Sequence, residues 1–248
     1  MVVTYKVVRI GNDHQRNEGL QGIGPKKSCI YFGPFRGTKR KFQMLQYQTV
    51  DTGTLELLKQ LLSIELFSDL RLVGGTSLAL QLGHRKSIDI DLFGKIDVDV
   101  LEINKALSSL GSITQIKDSK NIHIYLVNGI KVDIVNYTYP WLRDWIHEDE
   151  LRLAKLDDIA AMKLSAVTGR GTRKDFVDIY FLLQQMNLSE MLQLHLSKYH
   201  DSSLFMVLKS LVYFEDAERD EMPYMLIPVK WEKIKSEIIA AHANYINQ

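Results

Sequence analysis

The sequence predicts an α+β protein in which helices and strands alternate up to about Pro140 and only helices follow. Three observations support this fold class. Leucines recur at helical spacing from Thr54, short aliphatic runs with a period of two come next, and only helical periodicity is found after Pro140. A chain of 248 residues with 46% hydrophobic content is long enough to bury a substantial core in one or two domains.

The predicted elements of the first half are short and follow one another closely. In order, they are a helix from residue 54, a strand over 70–73, a helix over 76–82, a strand over 88–93, a helix over 97–110 closed by Gly111, and strands over 112–118, 121–127 and 130–137. A sharp turn is expected at Gly74 and Gly75. Asn128-Gly129 joins the last two strands and is the strongest short signal for a hairpin.

Composition divides the chain into three parts. Residues 1–43 contain 9 Lys/Arg against 2 Asp/Glu and no sustained periodicity, which predicts a basic segment without ordered structure. Residues 44–150 hold the alternating elements, and residues 151–248 hold five helical segments. From residue 44 onward, 22 Lys/Arg stand against 28 Asp/Glu, so the main body carries a charge of about −6. This balance argues against a basic surface over the whole protein, although a local basic patch is compatible with it.

Several classes of protein are excluded by composition. No run approaches the roughly 20 apolar residues of a membrane span, and the N-terminus does not resemble a signal peptide, so we expect a cytoplasmic protein that does not contact a membrane. Cys29 is the single cysteine, which excludes an intramolecular disulfide and a multi-cysteine zinc site.

Two aspartates one residue apart are the first indication of chemistry. Asp89 and Asp91 lie in the strand predicted over 88–93, where alternate residues share a face, while aliphatic neighbours such as Ile88 would point into the core. Neighbouring carboxylates on a half-buried strand are costly unless positive charge lies between them, and a divalent cation provides it. The alternative is that both acids face solvent on an edge strand, and the pair alone does not decide between the two.

Two further features favour the metal site. Asp133 is an acid within another aliphatic strand, which the Asn128-Gly129 hairpin places in the same sheet. The helix that begins after the glycine pair offers backbone N–H groups and the hydroxyls of Thr76 and Ser77 to a phosphate. Metal and phosphate sites would then be neighbours, as two-metal phosphoryl or nucleotidyl transfer requires.

These motifs occur in an order that resembles a known family. The segments "GGTSLALQLGHRKSIDIDLF", "VDIVNY" and "AAMKLSAVTGRGTRKDFVDIYFLL" together resemble the AbiEii/AbiGii-type nucleotidyltransferases, toxins of bacterial toxin–antitoxin and phage-defence systems. The resemblance spans roughly residues 50–190. It implies the polymerase-beta-like nucleotidyltransferase fold, with a mixed sheet flanked by helices, followed by a helical C-terminal domain that closes the nucleotide pocket.

The resemblance assigns roles to the strand and turn residues. Asp89 and Asp91 match the metal-binding acid pair, and Asp133 matches the third acid, which completes one metal site and helps to deprotonate the attacking hydroxyl. The positions that match the turn holding the nucleotide phosphates are Gly74, Gly75, Thr76 and Ser77.

The polar link between helix and strand also matches the family. It contains His84, Arg85 and Ser87. Arg85 and Ser87 would contact the nucleotide, with Arg85 clamping the triphosphate, and the alternative for Arg85 is a surface turn. His84 is expected to be structural or exposed to solvent, because no partners for a ligand role are evident in the sequence.

The helical motif supplies the remaining candidates. Lys163 and Arg170 are seven residues apart and share a helix face, while Asp175 and Asp178 lie together in the next helix. By resemblance, Lys163 and Asp175 line the nucleotide pocket, with Lys163 neutralising triphosphate charge and Asp175 orienting Lys163 or Arg170 or acting on the acceptor. Arg170 is a further candidate for nucleotide binding. Asp178 is the less favoured acid. A surface charge pair is the alternative.

Four aromatic side chains follow the third acid and would either stack a base or pack between the two halves. They are Tyr137, Tyr139, Trp141 and Trp145.

The expected function is a magnesium-dependent transfer of a nucleotide from a nucleoside triphosphate, with one or two Mg²⁺ at the three acids. By resemblance, the acceptor is RNA, foremost the 3′ end of tRNA, and an antitoxin restrains the activity. Two alternatives stay open: transfer to a protein or to a small molecule such as an aminoglycoside, and a catalytically silent module that binds nucleotide or a partner.

Overall fold

A seven-stranded mixed sheet runs through the protein. The computed structural model describes residues 44–248, and the expectation of a basic segment over residues 1–43 lies outside this range. The strands are β1 (Arg71–Leu72), β2 (Ile90–Gly94), β3 (Ile113–Asp118), β4 (Ile122–Val127), β5 (Ile130–Asn136), β6 (Ile146–Glu148) and β7 (Leu151–Leu153). Their order in the sheet is β3-β4-β5-β2-β1-β7-β6.

The middle of the sheet brings sequence-distant strands together. β2 pairs antiparallel with β1 on one side and parallel with β5 on the other. β4 and β5 form the predicted antiparallel hairpin, in which Asn128 (φ 52°) and Gly129 (φ 82°) both adopt the left-handed conformation that a tight hairpin turn needs. The prediction that Asp133 lies in the same sheet as Asp91 is therefore confirmed.

Eight helices surround this sheet in the described part of the chain. They are α1 (Thr52–Ser63), α2 (Gly74–Leu82), α3 (Val100–Ser108), α4 (Leu156–Gly169), α5 (Arg173–Leu183), α6 (Leu188–Lys198), α7 (Leu204–Leu211) and α8 (Trp231–Ile246). Each corresponds to a helix that hydrophobic periodicity predicts. Several begin at side-chain caps that satisfy first-turn amides: Asp99 accepts from the Glu102 N–H, and Asn187 forms a capping box with Glu190.

Two hydrophobic cores lie on opposite faces of the sheet. Leu92 points into the first core, where α1 and α3 pack. Its neighbour Phe93 points to the other face and packs against the second core, which α4 to α8 build together with Leu78 of α2. Because Asp91 alternates with Leu92 along β2, it faces the helical layer formed by the C-terminal half. The α+β class, with a mixed sheet flanked by helices, is thereby observed.

The structure corrects three local expectations. Strands continue after Pro140, because β6 and β7 form a short hairpin and β7 pairs with β1, so the sheet extends beyond residue 150. Each of these strands has three residues, too few to show a period. β2 begins at Ile90 rather than at Ile88, and the Ile88 side chain is 59% exposed instead of buried. Asp89 consequently lies just before the strand.

No helix within residues 44–248 is both long enough and apolar enough to cross a membrane.

Candidate active site

Two aspartates of neighbouring strands lie side by side on the sheet face that the helical layer covers. Asp91 of β2 is in register with Asp133 of β5, and paired strands are about 4.8 Å apart. Burial, together with the negative charge of Asp133, raises the pKa of Asp91 to about 6. Adjacent half-buried carboxylates of this kind need positive charge when both are ionised.

Asp89 adds a third acid from the residue before β2. Its charge also raises the pKa of Asp91, so the three carboxylates interact electrostatically. The Asp89 side chain is 36% exposed, and the Lys174 Nζ atom lies 3.8 Å from its Oδ2 atom. Thr76 donates a hydrogen bond to the backbone carbonyl of Asp89 at 2.5 Å, which fixes the chain at this acid against α2.

The glycine pair at the start of α2 is in close contact with functional side chains. Gly74 has φ +66°, and a Cβ there would overlap the Asp91 carboxylate. A Cβ at Gly75 would overlap the Arg85 guanidinium. Glycine suits the left-handed backbone at position 74, and at both positions a Cβ would force the neighbouring charged side chain to shift. The first N–H groups of α2 have no partner inside the helix and are the groups that suit a phosphate.

The hydroxyls of Thr76 and Ser77 are turned into the protein. Thr76 is fully buried and also lies 2.8 Å from the Ser87 hydroxyl. The Ser77 Oγ atom lies 3.5 Å from the carbonyl of Ala154 and 3.2 Å from the Gln81 amide nitrogen. The expectation that both hydroxyls face a phosphate is therefore revised: from these positions, the backbone N–H groups are the donors that remain for a phosphate.

A buried ionic cluster adjoins the glycine pair, and Asp178 is at its centre. Arg85 donates to Asp178 through Nε at 2.7 Å and through Nη2 at 2.9 Å. The Lys163 Nζ atom lies 2.6 Å from the Asp178 Oδ2 atom. His84 Nε2 lies 2.8 Å from the Oδ1 atom. Asp178, the acid that the sequence favours less, thus holds three side chains from two distant segments.

Asp175 is the second anion of this cluster. Its Oδ1 atom accepts from Lys163 at 2.9 Å, and its Oδ2 atom accepts from the Thr172 hydroxyl at 2.6 Å in a capping box that starts α5. The Arg170 Nε atom lies 3.5 Å from the same oxygen, with the Arg170 side chain 71% exposed. Asp175 therefore contacts both Lys163 and Arg170, the two cations that the sequence associates with it.

The cluster is charge-balanced, with two buried carboxylates against Arg85 and Lys163. Burial alone would raise the pKa of Asp178, but Arg85 and Lys163 hold that pKa well below its ordinary value. Burial lowers the pKa of His84, which favours the neutral ring. The neutral ring donates its Nε2–H to Asp178, and its buried Nδ1 has no hydrogen-bond partner among residues 44–248. Arg85 is 3% exposed, which excludes a surface turn and commits its guanidinium to Asp178.

The ionic cluster and the acids form one continuous site. Gly74 contacts Asp91, and the adjacent Gly75 contacts Arg85. Burial raises the pKa of Asp91, and the charge of Lys163 offsets part of that rise. Burial opposes the positive charge of Arg85, whereas Asp178 and, more weakly, Asp89 raise its pKa. The helical half therefore brings Lys163 within electrostatic reach of the acids, which the sequence alone could not establish.

The four aromatic side chains after Asp133 pack among themselves and against buried cations. Tyr137 shares a hydrogen bond with the Tyr199 hydroxyl at 2.7 Å. The Arg71 guanidinium lies 3.9 Å from the Trp141 ring centre and 4.7 Å from that of Trp145. These contacts join the sheet to the end of α6 and agree with the packing alternative. Tyr139 is half exposed.

The acids suit a magnesium ion in donor chemistry. No three His, Cys, Asp or Glu side chains of residues 44–248 converge with the spacing of a metal-binding group. Mg²⁺ is usually held by one or two carboxylates together with waters and substrate phosphates, and not by an all-protein cage. Asp91 offers a desolvated carboxylate crowded by two like charges, which a hard divalent cation would relieve. The residues therefore fit this ion.

The shape of the surface alone would indicate a different region as the functional site. A groove of about 690 Å³ between α5, α6 and α8 is lined by residues such as Gln184, Glu190 and Asn244. It contains none of the three acids of the site and no residue of the ionic cluster. The site is identified by its chemistry.

Comparisons with known proteins agree with this geometry. Residues 56–245 match the family described as Nucleotidyl transferase AbiEii toxin, type IV toxin–antitoxin system. The uncharacterised protein aq_aa25 of Aquifex aeolicus (strain VF5) is 36% identical over 186 residues, which cover 73% of this chain and 89% of the relative.

Solved structures share the fold at low sequence identity. MenT4, the nucleotidyltransferase toxin Rv2826c of Mycobacterium tuberculosis H37Rv, is similar with a TM-score of 0.50 and 14% identity, over 77% of this chain and 82% of that one. A proposed nucleotidyltransferase of Helicobacter pylori is similar with a TM-score of 0.51 and 18% identity, over 77% of this chain and 91% of that one.

Proposed function

Since the chain belongs to the AbiEii nucleotidyltransferase toxin family of type IV toxin–antitoxin systems, we propose that it transfers a nucleotide from a nucleoside triphosphate to an RNA acceptor in a magnesium-dependent reaction. Our first candidate for the acceptor is the 3′ end of tRNA. A cognate antitoxin is the partner that the family implies, and defence against phage is the role we propose for the pair.

One observation supports this reaction most strongly. Asp91 and Asp133 lie side by side in parallel strands, and Asp91 also touches the glycine that opens α2. Carboxylates for a cation and helix N–H groups for phosphate are therefore adjacent, on rigid elements of the fold. A merely structural role does not explain why the like-charged Asp91 and Asp133 are adjacent beside the free end of a helix.

Different residues of the chain would bind the metal ion, bind the phosphates and accept the proton. Asp89, Asp91 and Asp133 would hold Mg²⁺, which when bound would neutralise phosphate charge and align the reacting groups. The first N–H groups of α2, from Gly74 and Gly75, would receive phosphate oxygens of the triphosphate. The acceptor hydroxyl oxygen forms a bond to the α-phosphorus while the bond to the β-phosphate oxygen breaks and pyrophosphate leaves. Asp133 is our candidate to take the hydroxyl proton.

The buried ionic cluster packs against the glycine pair at the start of α2. Arg85 packs against Gly75 and is fixed by Asp178, so the glycine turn rests on an immobilised guanidinium. Lys163 contributes positive charge near Asp91 without being free to leave its two aspartates. We propose that Arg85, Lys163 and Asp178 position the phosphate turn and favour negative charge at it, whereas direct nucleotide contacts come from more exposed groups.

Exposed cations beside the acids would bind the phosphate backbone of an RNA acceptor. Lys131, Lys174 and Arg170 have side chains 40%, 55% and 71% exposed, and each contacts an acid of the site or of the cluster. They form a local basic rim on a main body that is acidic overall. Binding of an RNA backbone to this rim would weaken steeply with rising salt.

The direct experiment incubates purified protein with each α-³²P-labelled nucleoside triphosphate, Mg²⁺ and total RNA. The proposal expects label on RNA with one or more of the triphosphates, and no label with the Asp89→Ala/Asp91→Ala variant. Acid-dependent label on a protein or on an added aminoglycoside would instead establish the alternative acceptors. No label in any reaction, with nucleotide binding intact, would favour the silent binding module.

A further inference from the structure

One acid of the site is already neutralised by the protein itself. The Lys131 Nζ atom lies 2.6 Å from the Asp133 Oδ1 atom. Both residues belong to β5 and are two positions apart, so their side chains stand on the same face of the strand. This ion pair is local and does not depend on how the helical half packs.

The other acid at the centre of the site has no such partner. In the described part of the chain, no lysine, arginine or histidine nitrogen lies within 4.0 Å of the Asp91 carboxylate, and Lys174 approaches Asp89 only at 3.8 Å. The three acids are therefore unequal: Asp133 is paired, Asp89 is weakly paired and Asp91 is unpaired.

We propose that Lys131 is the counter-ion of Asp133 in the cation-free protein, and that a divalent cation must displace this ammonium group before Asp133 can act as a ligand. The inference rests on the proposed function, because it concerns the same three acids. Lys131 thereby lowers the affinity of the site for free cation. A nucleotide-bound cation meets less competition, since the triphosphate offers the displaced ammonium a new partner.

The side chain of Lys131 has the properties that this exchange needs. It is 40% exposed, so its ammonium group can leave Asp133 without breaking the core, whereas Asp133 is 18% exposed and stays in place. An ammonium on a flexible four-carbon stem can move by several ångströms through rotamer changes. Lys163 could not play this part, because it is buried and held by two aspartates.

Binding of Mn²⁺ to the purified full-length protein without nucleotide tests the inference. Mn²⁺ would be titrated by electron paramagnetic resonance, which counts free ion and does not depend on activity. We expect Lys131→Met to bind Mn²⁺ about fivefold more tightly than the wild type, equivalent to about 1 kcal/mol. Lys131→Arg keeps the charge and should retain the wild-type affinity.

Two further variants complete the design. Lys105→Met removes the same charge from an exposed lysine of α3, on the opposite face of the sheet, and should leave Mn²⁺ affinity unchanged. Asp91→Asn should abolish tight binding and so shows that the measured ion is at the acids. Lys174→Met should have a smaller effect than Lys131→Met, because its ammonium is farther from its acid and more exposed.

The possible results are distinct. Tighter binding in Lys131→Met, abolished by adding Asp91→Asn, supports the inference. Equal or weaker binding in Lys131→Met, while wild-type binding still requires Asp91, overturns the inference alone and leaves the proposed function standing. Absence of acid-dependent binding in every variant, with and without nucleoside triphosphate, overturns both.

Discussion

Asp91 lies against Gly74, and this contact joins the acid-bearing strand to the helix that would hold phosphate. The two residues are 17 positions apart, yet the carboxylate occupies the space in which any other residue at position 74 would place its Cβ. The distance between acid and helix N-terminus is therefore set by the absence of a side chain. A site of this kind tolerates little change at the glycine.

Replacing Gly74 with alanine should disable the site. The new Cβ would have to displace the Asp91 carboxylate, and alanine at φ +66° adds about 1–2 kcal/mol of backbone strain. We expect nucleotide transfer to fall by at least about a hundredfold, since small misplacements of reacting groups have effects of this size. Initial rates and thermal unfolding would be measured together.

The matched control is Gly53→Ala in the first turn of α1. Among residues 44–248, no atom lies within 4 Å of a Cβ at Gly53, and the Gly53 backbone is not in the left-handed region. Its activity should match the wild type, with equal or slightly higher stability. Similar rates of nucleotide transfer in Gly74→Ala and Gly53→Ala would show that activity does not need the close contact between Gly74 and Asp91.

Asp91→Asn should stabilise the cation-free protein while abolishing transfer. In the absence of a cation, the half-buried Asp91 carboxylate lies beside Asp133, and its pKa is raised to about 6. A raised folded-state pKa means that ionisation at neutral pH opposes folding, here by about 1–3 kcal/mol. Urea unfolding in EDTA at pH 7.5 would compare the two proteins. A destabilised Asn variant would show that Asp91 has a structural partner.

Asp178→Asn should destabilise the fold strongly. It removes the anion shared by Arg85 and Lys163 and leaves a surplus positive charge in a fully buried site. Removing one partner of such a buried cluster lowers the free energy of unfolding by about 3–5 kcal/mol. Asp51→Asn is the contrast, because it removes an acid from an exposed ion pair with Lys86 and should leave the urea midpoint unchanged. Equal midpoints for the two variants would contradict the assignment.

The contribution of Asp178 should disappear in acid. Its folded-state pKa is held well below the ordinary value, so its stabilising effect is complete above the unfolded-state pKa of about 4 and is lost as the pH falls further. The difference in unfolding free energy between wild type and Asp178→Asn should therefore be constant from pH 7 to 5 and shrink between about pH 4 and 2. A difference that grows on acidification has the wrong sign for this mechanism.

Local sequence signals predicted most of the fold. The hairpin at Asn128-Gly129 needs two residues with positive φ, and only a few residue pairs supply them, so the signal is specific. The helices of the C-terminal half follow from periodicity. Local signals do not predict β6 and β7, because a three-residue strand is defined by its pairing partner. Leu153 of β7 pairs with Leu72 of β1, which is 81 positions earlier.

Local sequence signals likewise predict one part of the candidate site but not the other. Asp89, Asp91 and Asp133 stand out because acids interrupt aliphatic runs. The structure places Asp91 and Asp133 side by side, with Asp89 within electrostatic reach of Asp91. Asp178 is at the centre of the ionic cluster because it contacts His84 and Arg85, which lie more than 90 residues earlier in the chain. No local sequence pattern indicates such a contact. A signal was nevertheless present: Asp178 is surrounded by Val177, Ile179 and other apolar residues of a helix that is buried on nearly every side, and a buried acid implies a buried cation.

The central claim is that the acids on β2 and β5 perform nucleotide transfer. The most direct measurement is the rate of α-³²P label transfer to RNA by Asp91→Asn beside the wild type, in Mg²⁺, with both proteins shown to be folded by their unfolding curves. We predict that the wild type labels RNA and that the folded Asn variant does so at least about a thousandfold more slowly. Label transfer by Asp91→Asn at the wild-type rate would contradict the account.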